Sequence, residues 1–209
     1  MKNKSDLTKM IKDAAILFAI TLIAGIALGF VQELTKEPIA YQQELKVQRA
    51  CAEVFAEAAS FEEADPAKLD AGKLSTVAEH NTALGAEVGK VYYALANDGS
   101  VMGYVLSVMS KEGYGGNIEL MVGITAEGGV SGISLLSISE TPGLGMQAGD
   151  VLVPQFAGRK AESFVYTKTG ATAENEIDAI SGATITTRAV TNAVNAGLFY
   201  FETLLKGGN

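Results

Sequence analysis

The sequence predicts an α+β fold in which an antiparallel sheet is flanked by helices, with one transmembrane helix at the N-terminus. Three observations support this prediction. An uncharged apolar run covers residues 14–31. Apolar stretches separated by short glycine-containing turns follow between residues 88 and 137, and strands joined by tight turns pair antiparallel. Apolar residues at helical spacing lie before these strands, at 37–60, and after them, beyond Thr186.

The apolar run from Ala14 to Val31 predicts a membrane anchor. Its 18 residues span roughly 27 Å as a helix, which is enough to cross the hydrocarbon core of a bilayer. A cleaved signal peptide is the alternative interpretation. The run exceeds the usual signal core of about 7–15 residues, and no small-x-small cleavage site follows it. We therefore expect a retained, single-pass anchor.

Positive charge before the anchor sets its expected orientation. Residues 1–13 contain four lysines, whereas the basic residues that follow the anchor are mixed with glutamates. The positive-inside rule places the more basic flank in the cytoplasm. The sequence therefore predicts a cytoplasmic N-terminus at residues 1–13 and a domain on the extracytoplasmic side of the cell (inner) membrane.

Residues 32–85 are predicted to form a stalk helix and a connection to the domain. Pro38 suits the first turn of a helix, and apolar residues recur at helical spacing from there to about Ser60. Cys51 is expected to be a buried small side chain on this helix. The polar remainder is expected to form a surface connection with short helical pieces, and His80 is expected to lie exposed in a loop.

Residues 86–209 are predicted to form one domain around the sheet. An Asp98-Gly99 pair, which is a strong hairpin signal, separates the first two strands. Glycine-rich turns bound the strands that follow. The predicted strands are Val91–Ala96, Val101–Met109, Ile118–Thr125 and Val130–Ser137.

A C-terminal helix is predicted from Thr187 to Lys206, where apolar residues recur at helical spacing. Thr186 or Thr187 is expected to be its N-cap, because threonine side chains accept from the free N–H groups of a first turn.

Composition excludes several classes of protein. The net charge of −8 and the sequence pI near 4.7 argue against nucleic-acid binding, because an acidic surface repels phosphate backbones. The single cysteine, Cys51, cannot ligate an iron–sulfur cluster, and the single histidine, His80, cannot form a histidine-rich metal site. No metal site is expected, and an electron carrier of this composition needs an organic cofactor.

The segment from Asp178 to Thr184 leads directly into the C-terminal helix. Small residues at 182 and 183 leave the Thr184 hydroxyl sterically open. The N-terminus of a helix just downstream supplies free N–H groups and the positive end of the helix dipole. A phosphate attached to Thr184 is therefore well placed, with Arg188 as a candidate partner. An ordinary turn with a helix cap is the alternative interpretation.

The second unusual segment, residues 140–145, reads Glu-Thr-Pro-Gly-Leu-Gly. The Pro-Gly pair predicts a sharp turn, and Gly143 and Gly145 leave no side chain between the backbone and a ligand. Thr141 and Leu144 are candidates for contacts with the polar groups and the ring face of a ligand. A dinucleotide-binding loop is excluded, because the spacing has one residue too many for GxGxxG and no parallel βαβ unit surrounds it.

The segment that ends at Thr184 resembles the flavinylation motif of bacterial FMN-binding domains. The threonine of that motif receives FMN through a phosphoester bond from a dedicated flavin transferase. Other features match in the same order, and with the single anchor the chain is similar, from about residue 14 to its end, to the G subunits of Rnf ion-translocating oxidoreductases. These features are Gly113-Tyr114-Gly115-Gly116, the Glu140–Gly145 segment and Phe156-Ala-Gly158-Arg-Lys160.

The resemblance implies an electron-relay subunit that carries covalent FMN on Thr184. The implied complex passes electrons from ferredoxin to NAD⁺ and couples this to Na⁺ or H⁺ translocation. Its other integral-membrane and iron–sulfur subunits and a flavin transferase are the implied partners, and no catalytic residue or substrate site is expected. The implied cofactor-binding residues are Tyr114, Glu140, Thr141, Gly143, Leu144, Gly145, Lys160, Asp178, Ser181, Gly182, Ala183, Thr184, Thr187 and Arg188.

Two alternatives remain open. The C subunit of the Na⁺-translocating NADH:quinone reductase shares the domain, although this chain is shorter than expected for that subunit. A flavin-free receptor or assembly protein is the other alternative. A histidine commonly found shortly before the Glu-Thr-Pro-Gly segment is absent here, where Ser137 and Ser139 stand, so no histidine is expected to protonate the flavin.

Overall fold

The computed structural model describes residues 2–65, 67 and 69–206 of the chain, with side chains from residue 7 onward. Two compact units divide the chain, Met1–Leu45 and Lys46–Asn209. Helix α1 runs from Lys2 to Val54, so its last turns belong to the second unit. Its apolar part contains an 18-residue window of mean hydropathy 2.6 with none of the window buried. The helix is long and apolar enough to cross a membrane, as expected for the anchor.

The helix that was expected to begin at Pro38 is instead continuous with the anchor. Pro38 lies inside α1, where a proline removes only one backbone hydrogen bond and the bonds on either side maintain the helix. The predicted end near Ser60 is also wrong, since α1 ends at Val54. As expected, Cys51 is buried on this helix, and burial raises the pKa of its thiol to about 11.

Five strands form an antiparallel sheet in the order β1-β2-β3-β4-β5. The four predicted strands are confirmed. The turn at Asp98-Gly99 forms the expected hairpin, with Gly99 at a φ of 81° and its N–H donating to the Ala96 carbonyl over 3.0 Å. The strand bounds are β1 Ser60–Glu63, β2 Ala86–Leu95, β3 Val101–Ser110, β4 Ile118–Thr125 and β5 Val130–Ser137.

The connection predicted at 61–85 is more regular than expected. Residues 60–63 form β1, which pairs with β2, and helix α2 follows at Ala71–Ala83. Asp70 caps α2 by accepting from the N–H groups of Gly72 and Lys73, and these bonds lower the pKa of its carboxyl. His80 is exposed as expected, but it lies on α2 rather than in a loop, with its ring stacked 3.7 Å from that of Phe199.

The remaining elements complete the domain. A 3₁₀ turn covers Gly145–Gln147, and a π-helical turn, Phe201–Leu205, follows α5. Short strands β6 and β7 form a separate parallel pair. The bounds are α3 Ala148–Val151, α4 Val153–Phe156, β6 Val165–Thr167, β7 Glu176–Asp178 and α5 Thr184–Tyr200.

Helices cover both faces of the sheet. Side chains alternate between the faces of a strand, and on β4 Leu120 and Val122 belong to the larger core, which includes α5, whereas Met121 packs with the end of α1. Burial on both sides explains why β4 is apolar at nearly every position instead of alternating.

Glycines allow the end of α1 to approach the sheet closely. Gly123 of β4 and Gly132 of β5 face each other across the strands, and a Cβ at Gly123 would lie 2.9 Å from the Val54 carbonyl oxygen. The same carbonyl accepts a 2.7 Å hydrogen bond from the Ser131 hydroxyl. This pair of glycines therefore forms a flat seat for the last turn of α1.

Replacing Gly123 with alanine should lower the free energy of unfolding by about 1–3 kcal/mol, because the added methyl group overpacks this seat. Urea titration of the detergent-purified chain, followed by circular dichroism, measures the change. Gly89→Ala in β2 is the matched control, because a Cβ there meets only Ser107 atoms at 3.8–4.0 Å, and its effect should stay within about 1 kcal/mol. Equal stability of the two variants would contradict the close packing at Gly123.

Candidate functional site

The two segments singled out in the sequence meet at one cleft. Because β4 and β5 are antiparallel, with Glu119 opposite Ser137, the loop before β4 and the segment after β5 emerge at the same end of the sheet. The N-terminus of α5 closes the third side of the cleft. Its volume of about 470 Å³ is within the range of small-molecule sites. The lining residues are Tyr114, Glu140, Thr141, Leu144, Gly145, Gly182, Ala183, Thr184, Ile185 and Thr186.

Helix α5 begins at Thr184, with Ala183 as an N-cap that makes no side-chain capping bond. The expectation that Thr186 or Thr187 caps this helix is therefore wrong. The Thr187 hydroxyl is buried, donates to the Ala183 carbonyl and accepts from the Ile180 N–H. It thus stabilises the preceding turn, and the first N–H groups of α5 have no acceptor within the helix.

Of the three threonines at the start of α5, only Thr184 is half-buried rather than buried, and it lines the cleft. Thr186 and Thr187 are 1% and 0% exposed. Within the described residues, the Thr184 hydroxyl makes no hydrogen bond. Gly182 before it has a φ of 78°, and a Cβ there would lie 3.1 Å from the Leu144 side chain. The turn therefore requires glycine and packs directly against the segment after β5.

The two glycines of the 140–145 segment have different roles. Gly143 has a φ of 75° with open space around it, as a sharp turn requires. Gly145 is buried, and a Cβ there would lie 2.6 Å from the Thr186 hydroxyl and 2.7 Å from the Glu140 Cβ. Gly145 lines the cleft, but its lack of a side chain is needed for packing within the protein. A larger residue there would disturb this packing before it met any ligand.

Exposed apolar side chains surround the mouth of the cleft. Tyr114 is 72% exposed, and Leu144 and Ile185 are about 40% exposed. Large apolar side chains exposed together usually mark a binding surface. This rim suits a flat aromatic ligand whose polar end reaches the N-terminus of α5.

Several residues implied by the resemblance lie outside this lining. Asp178 uses its carboxylate to accept from the Ala171 N–H, which orders the loop between β6 and β7. Arg188 lies 3.5 Å from Glu112 in an ion pair. Ser181 is exposed in the turn before α5.

Lys160 lies at the other end of the sheet. Its Cβ lies 3.9 Å from the position that a Cβ of Gly129 would occupy, in the turn that follows β4, whereas Tyr114 lies in the loop that precedes β4. The Phe156–Lys160 segment belongs to the core through Phe156, which packs edge-on against Phe164.

One lining residue, Ile185, was not anticipated, and Thr186 was expected only as a cap. Both follow from the position of α5: the helix starts at Thr184, and its first three residues border the cleft. The resemblance supplied the order of the motifs along the chain but not the residue at which the helix begins.

Comparisons with known proteins agree with this geometry. A family model described as the FMN-binding domain matches residues 113–198, a range that contains every residue lining the cleft. A second family model, the RnfG N-terminal region, matches residues 1–54.

Three relatives, all G subunits of ion-translocating complexes, match over nearly their whole length. The one from the Na⁺-translocating ferredoxin:NAD⁺ oxidoreductase complex of Acetobacterium woodii is 37% identical, and the match covers 98% of each chain. The one from the proton-translocating ferredoxin:NAD⁺ oxidoreductase complex of Clostridium ljungdahlii is 33% identical over 94% of this chain and 97% of that one. The one from an ion-translocating oxidoreductase complex of Aliivibrio fischeri is 30% identical over 94% and 92%.

A solved structure, NqrC of Shewanella oneidensis, is 24% identical and superposes with a TM-score of 0.46 over 55% of this chain and 58% of that one. The family of this chain is shown by the relatives that match it along nearly its whole length. With an N-terminal region and an FMN-binding domain in the expected order, the chain belongs to the G subunits of Rnf-type ion-translocating oxidoreductase complexes.

Proposed function

We propose that this chain is the electron-relay subunit of a membrane-bound ferredoxin:NAD⁺ oxidoreductase complex, and that it carries FMN attached covalently to the Thr184 hydroxyl. The observation that carries the proposal is the position of Thr184. Thr184 is half-buried and lines a ligand-sized cleft at the start of α5, inside an FMN-binding domain.

The residues of the cleft fit FMN at both ends of the molecule. At one end, the free N–H groups and positive dipole end of α5 stabilise a phosphate on Thr184. The backbone of α5 has to supply this stabilisation, because no lysine or arginine is among the described residues that line the cleft. At the other end, Tyr114, Leu144 and Ile185 supply apolar surface for the flavin ring.

Attachment at Thr184 would be a substitution at phosphorus, on a flavin nucleotide in which the FMN phosphate is activated as a phosphoanhydride. The new bond from Thr184 Oγ1 to phosphorus replaces the anhydride P–O bond, the other phosphate of the donor leaves, and the hydroxyl proton is released. The small neighbours Gly182 and Ala183 leave room for a flavin transferase at this hydroxyl. When bound, FMN supplies one- and two-electron redox chemistry. The protein holds it in a cleft that is open at the mouth, so that the ring stays close to the surface where electrons are exchanged.

The names of the relatives support the wider assignment. One relative is named as sodium-translocating and another as proton-translocating. Electron transfer in the complex of this chain is accordingly proposed to drive translocation of Na⁺ or H⁺. The expected partners are the other integral-membrane and iron–sulfur subunits of an Rnf-type complex, and identification of the subunits that copurify with this chain tests this assignment.

We further propose that α1 anchors the chain with its N-terminus in the cytoplasm and the FMN-binding domain on the extracytoplasmic side. The four lysines of residues 1–13 support this orientation through the positive-inside rule.

Thr184→Val should abolish covalent FMN, because valine has almost the same shape but no hydroxyl. The Thr184 hydroxyl makes no hydrogen bond with the described residues, so the free energy of unfolding should change by less than about 1 kcal/mol. The chain is produced with its flavin transferase, and flavin fluorescence is measured in a denaturing gel. Ser181→Ala and Thr186→Val, which remove the neighbouring hydroxyls, should keep the fluorescent band. Undiminished fluorescence of Thr184→Val would refute the attachment site.

The orientation predicts which engineered cysteines react from outside the cell. The native Cys51 gives little background, because it is buried and its pKa is raised to about 11. A membrane-impermeant maleimide should label Asn97→Cys, at the exposed β2–β3 turn, in intact spheroplasts. It should label Ser5→Cys only after permeabilisation. The reverse pattern would mean that the domain faces the cytoplasm.

A further inference from the structure

Glu140 is buried, yet it lines the cleft. Only 7% of the residue is exposed, and Oε1 accepts a 3.3 Å hydrogen bond from the Gly115 N–H. This bond ties the loop before β4 to the segment after β5. Among the described residues, no group donates to Oε2 and no lysine or arginine pairs with the carboxylate.

The free oxygen of Glu140 faces the open space of the cleft. Within the described part of the chain, no fully enclosed side-chain oxygen lacks a hydrogen-bond partner. Oε2 has no such partner, so it must reach the space that the residue lines. A buried carboxylate with one long hydrogen bond to a neutral donor is poorly compensated for its lost hydration. A donor from a ligand would supply the missing bond.

A second polar atom lies beside Oε2. The position that a Cβ of Gly145 would occupy is 2.9 Å from Oε2 and 2.6 Å from the Thr186 hydroxyl. Both oxygens therefore border the space that a side chain at Gly145 would fill. Glu140, Thr186 and Thr184, the proposed attachment point, line the same cleft.

The chemistry of FMN decides which of its groups fits this pair. A carboxylate repels a phosphate but accepts from hydroxyl and N–H groups. The donors of FMN are the ribityl hydroxyls and one ring N–H. The ribityl chain lies between the phosphate and the ring, whereas the ring N–H is at the far edge of the ring. Glu140 and Thr184 line the same cleft, so the hydroxyls are the nearer donors.

We infer that Glu140 is an FMN-binding residue, which accepts a hydrogen bond from a ribityl hydroxyl of the attached FMN through Oε2. The inference rests on the proposed attachment at Thr184. In this inference the two carboxylate oxygens have different partners: Oε1 accepts from the Gly115 N–H of the protein loop, and Oε2 accepts from the ligand. A carboxylate that merely clamped the loop would use Oε1 alone.

The test uses the full chain, flavinylated by its transferase, as wild type, Glu140→Gln and Glu119→Gln. Glutamine keeps the size of the side chain and an acceptor for the Gly115 N–H, but it replaces the charged acceptor in the cleft with an amide. Glu119→Gln removes the same charge from an exposed position on β4 and is the matched control. The readouts are time-resolved fluorescence anisotropy of the attached flavin and its visible absorption spectrum.

In the wild type and in Glu119→Gln, the flavin should rotate only with the protein. In Glu140→Gln, covalent attachment should persist, but a fast component of a few nanoseconds or less should appear in the anisotropy decay, because the tether at Thr184 alone leaves the ring free to move. The absorption maxima should not shift, since a ribityl contact leaves the hydrogen bonds of the ring unchanged.

Each other outcome overturns the inference. Without the fast component in Glu140→Gln, Glu140 does not hold the ligand, while the attachment at Thr184 stands. A fast component with shifted absorption maxima would place Glu140 against the ring instead of the ribityl chain. Lower thermal stability of Glu140→Gln in the flavin-free Thr184→Val protein would show that the fold itself needs the charge. If the wild-type band showed no flavin fluorescence, the proposed covalent FMN would be refuted, and this inference would be refuted with it.

Discussion

The site depends on the antiparallel pairing of β4 and β5. The pairing brings the loop that precedes β4 and the segment that follows β5 to the same end of the sheet, although Gly115 and Glu140 are 25 residues apart in the sequence. Glu140 then connects the two through its bond to Gly115. A shift of one residue in this register would turn the side chains of β4 to the opposite face. Because both faces of β4 are buried, the core holds the register and therefore the cleft.

The same arrangement explains how an acidic chain could accommodate the phosphate that we propose at Thr184. The chain has a net charge of −8, and Arg188, the cation nearest to Thr184 along α5, is paired with Glu112. Positive potential at the cleft comes instead from the backbone, through the unbonded N–H groups at the start of α5. Ala183 caps the helix without a side-chain bond, so no threonine or serine competes with a ligand for these groups.

The sequence predicted the elements with strong local signals and missed those that tertiary contacts define. Turn residues marked strands β2 to β5, and an uncharged run marked the anchor. Strand β1 was missed because Ser-Phe-Glu-Glu has little strand character and forms only by pairing with the edge of β2. Helix α2 buries only Val77 and Asn81, too few for a periodic pattern. Of the residues that line the cleft, Thr184 and four residues of the 140–145 segment were predicted from sequence as candidates. The order of motifs could not place Lys160 at the far end of β4.

Glycines in the motifs of this domain serve two different purposes: some provide a backbone conformation, and others make room for a close contact within the protein. Gly143 and Gly182 supply backbone conformations with positive φ. Gly145 and Gly123 instead remove a Cβ where two parts of the protein come into contact, at Thr186 and at Val54 respectively. The first contact shapes the cleft, and the second seats the end of α1 on the face of the sheet opposite to α5. The start of α5 thus packs directly on the 140–145 segment at Gly145, and this contact, rather than a side-chain cap, positions its first turn.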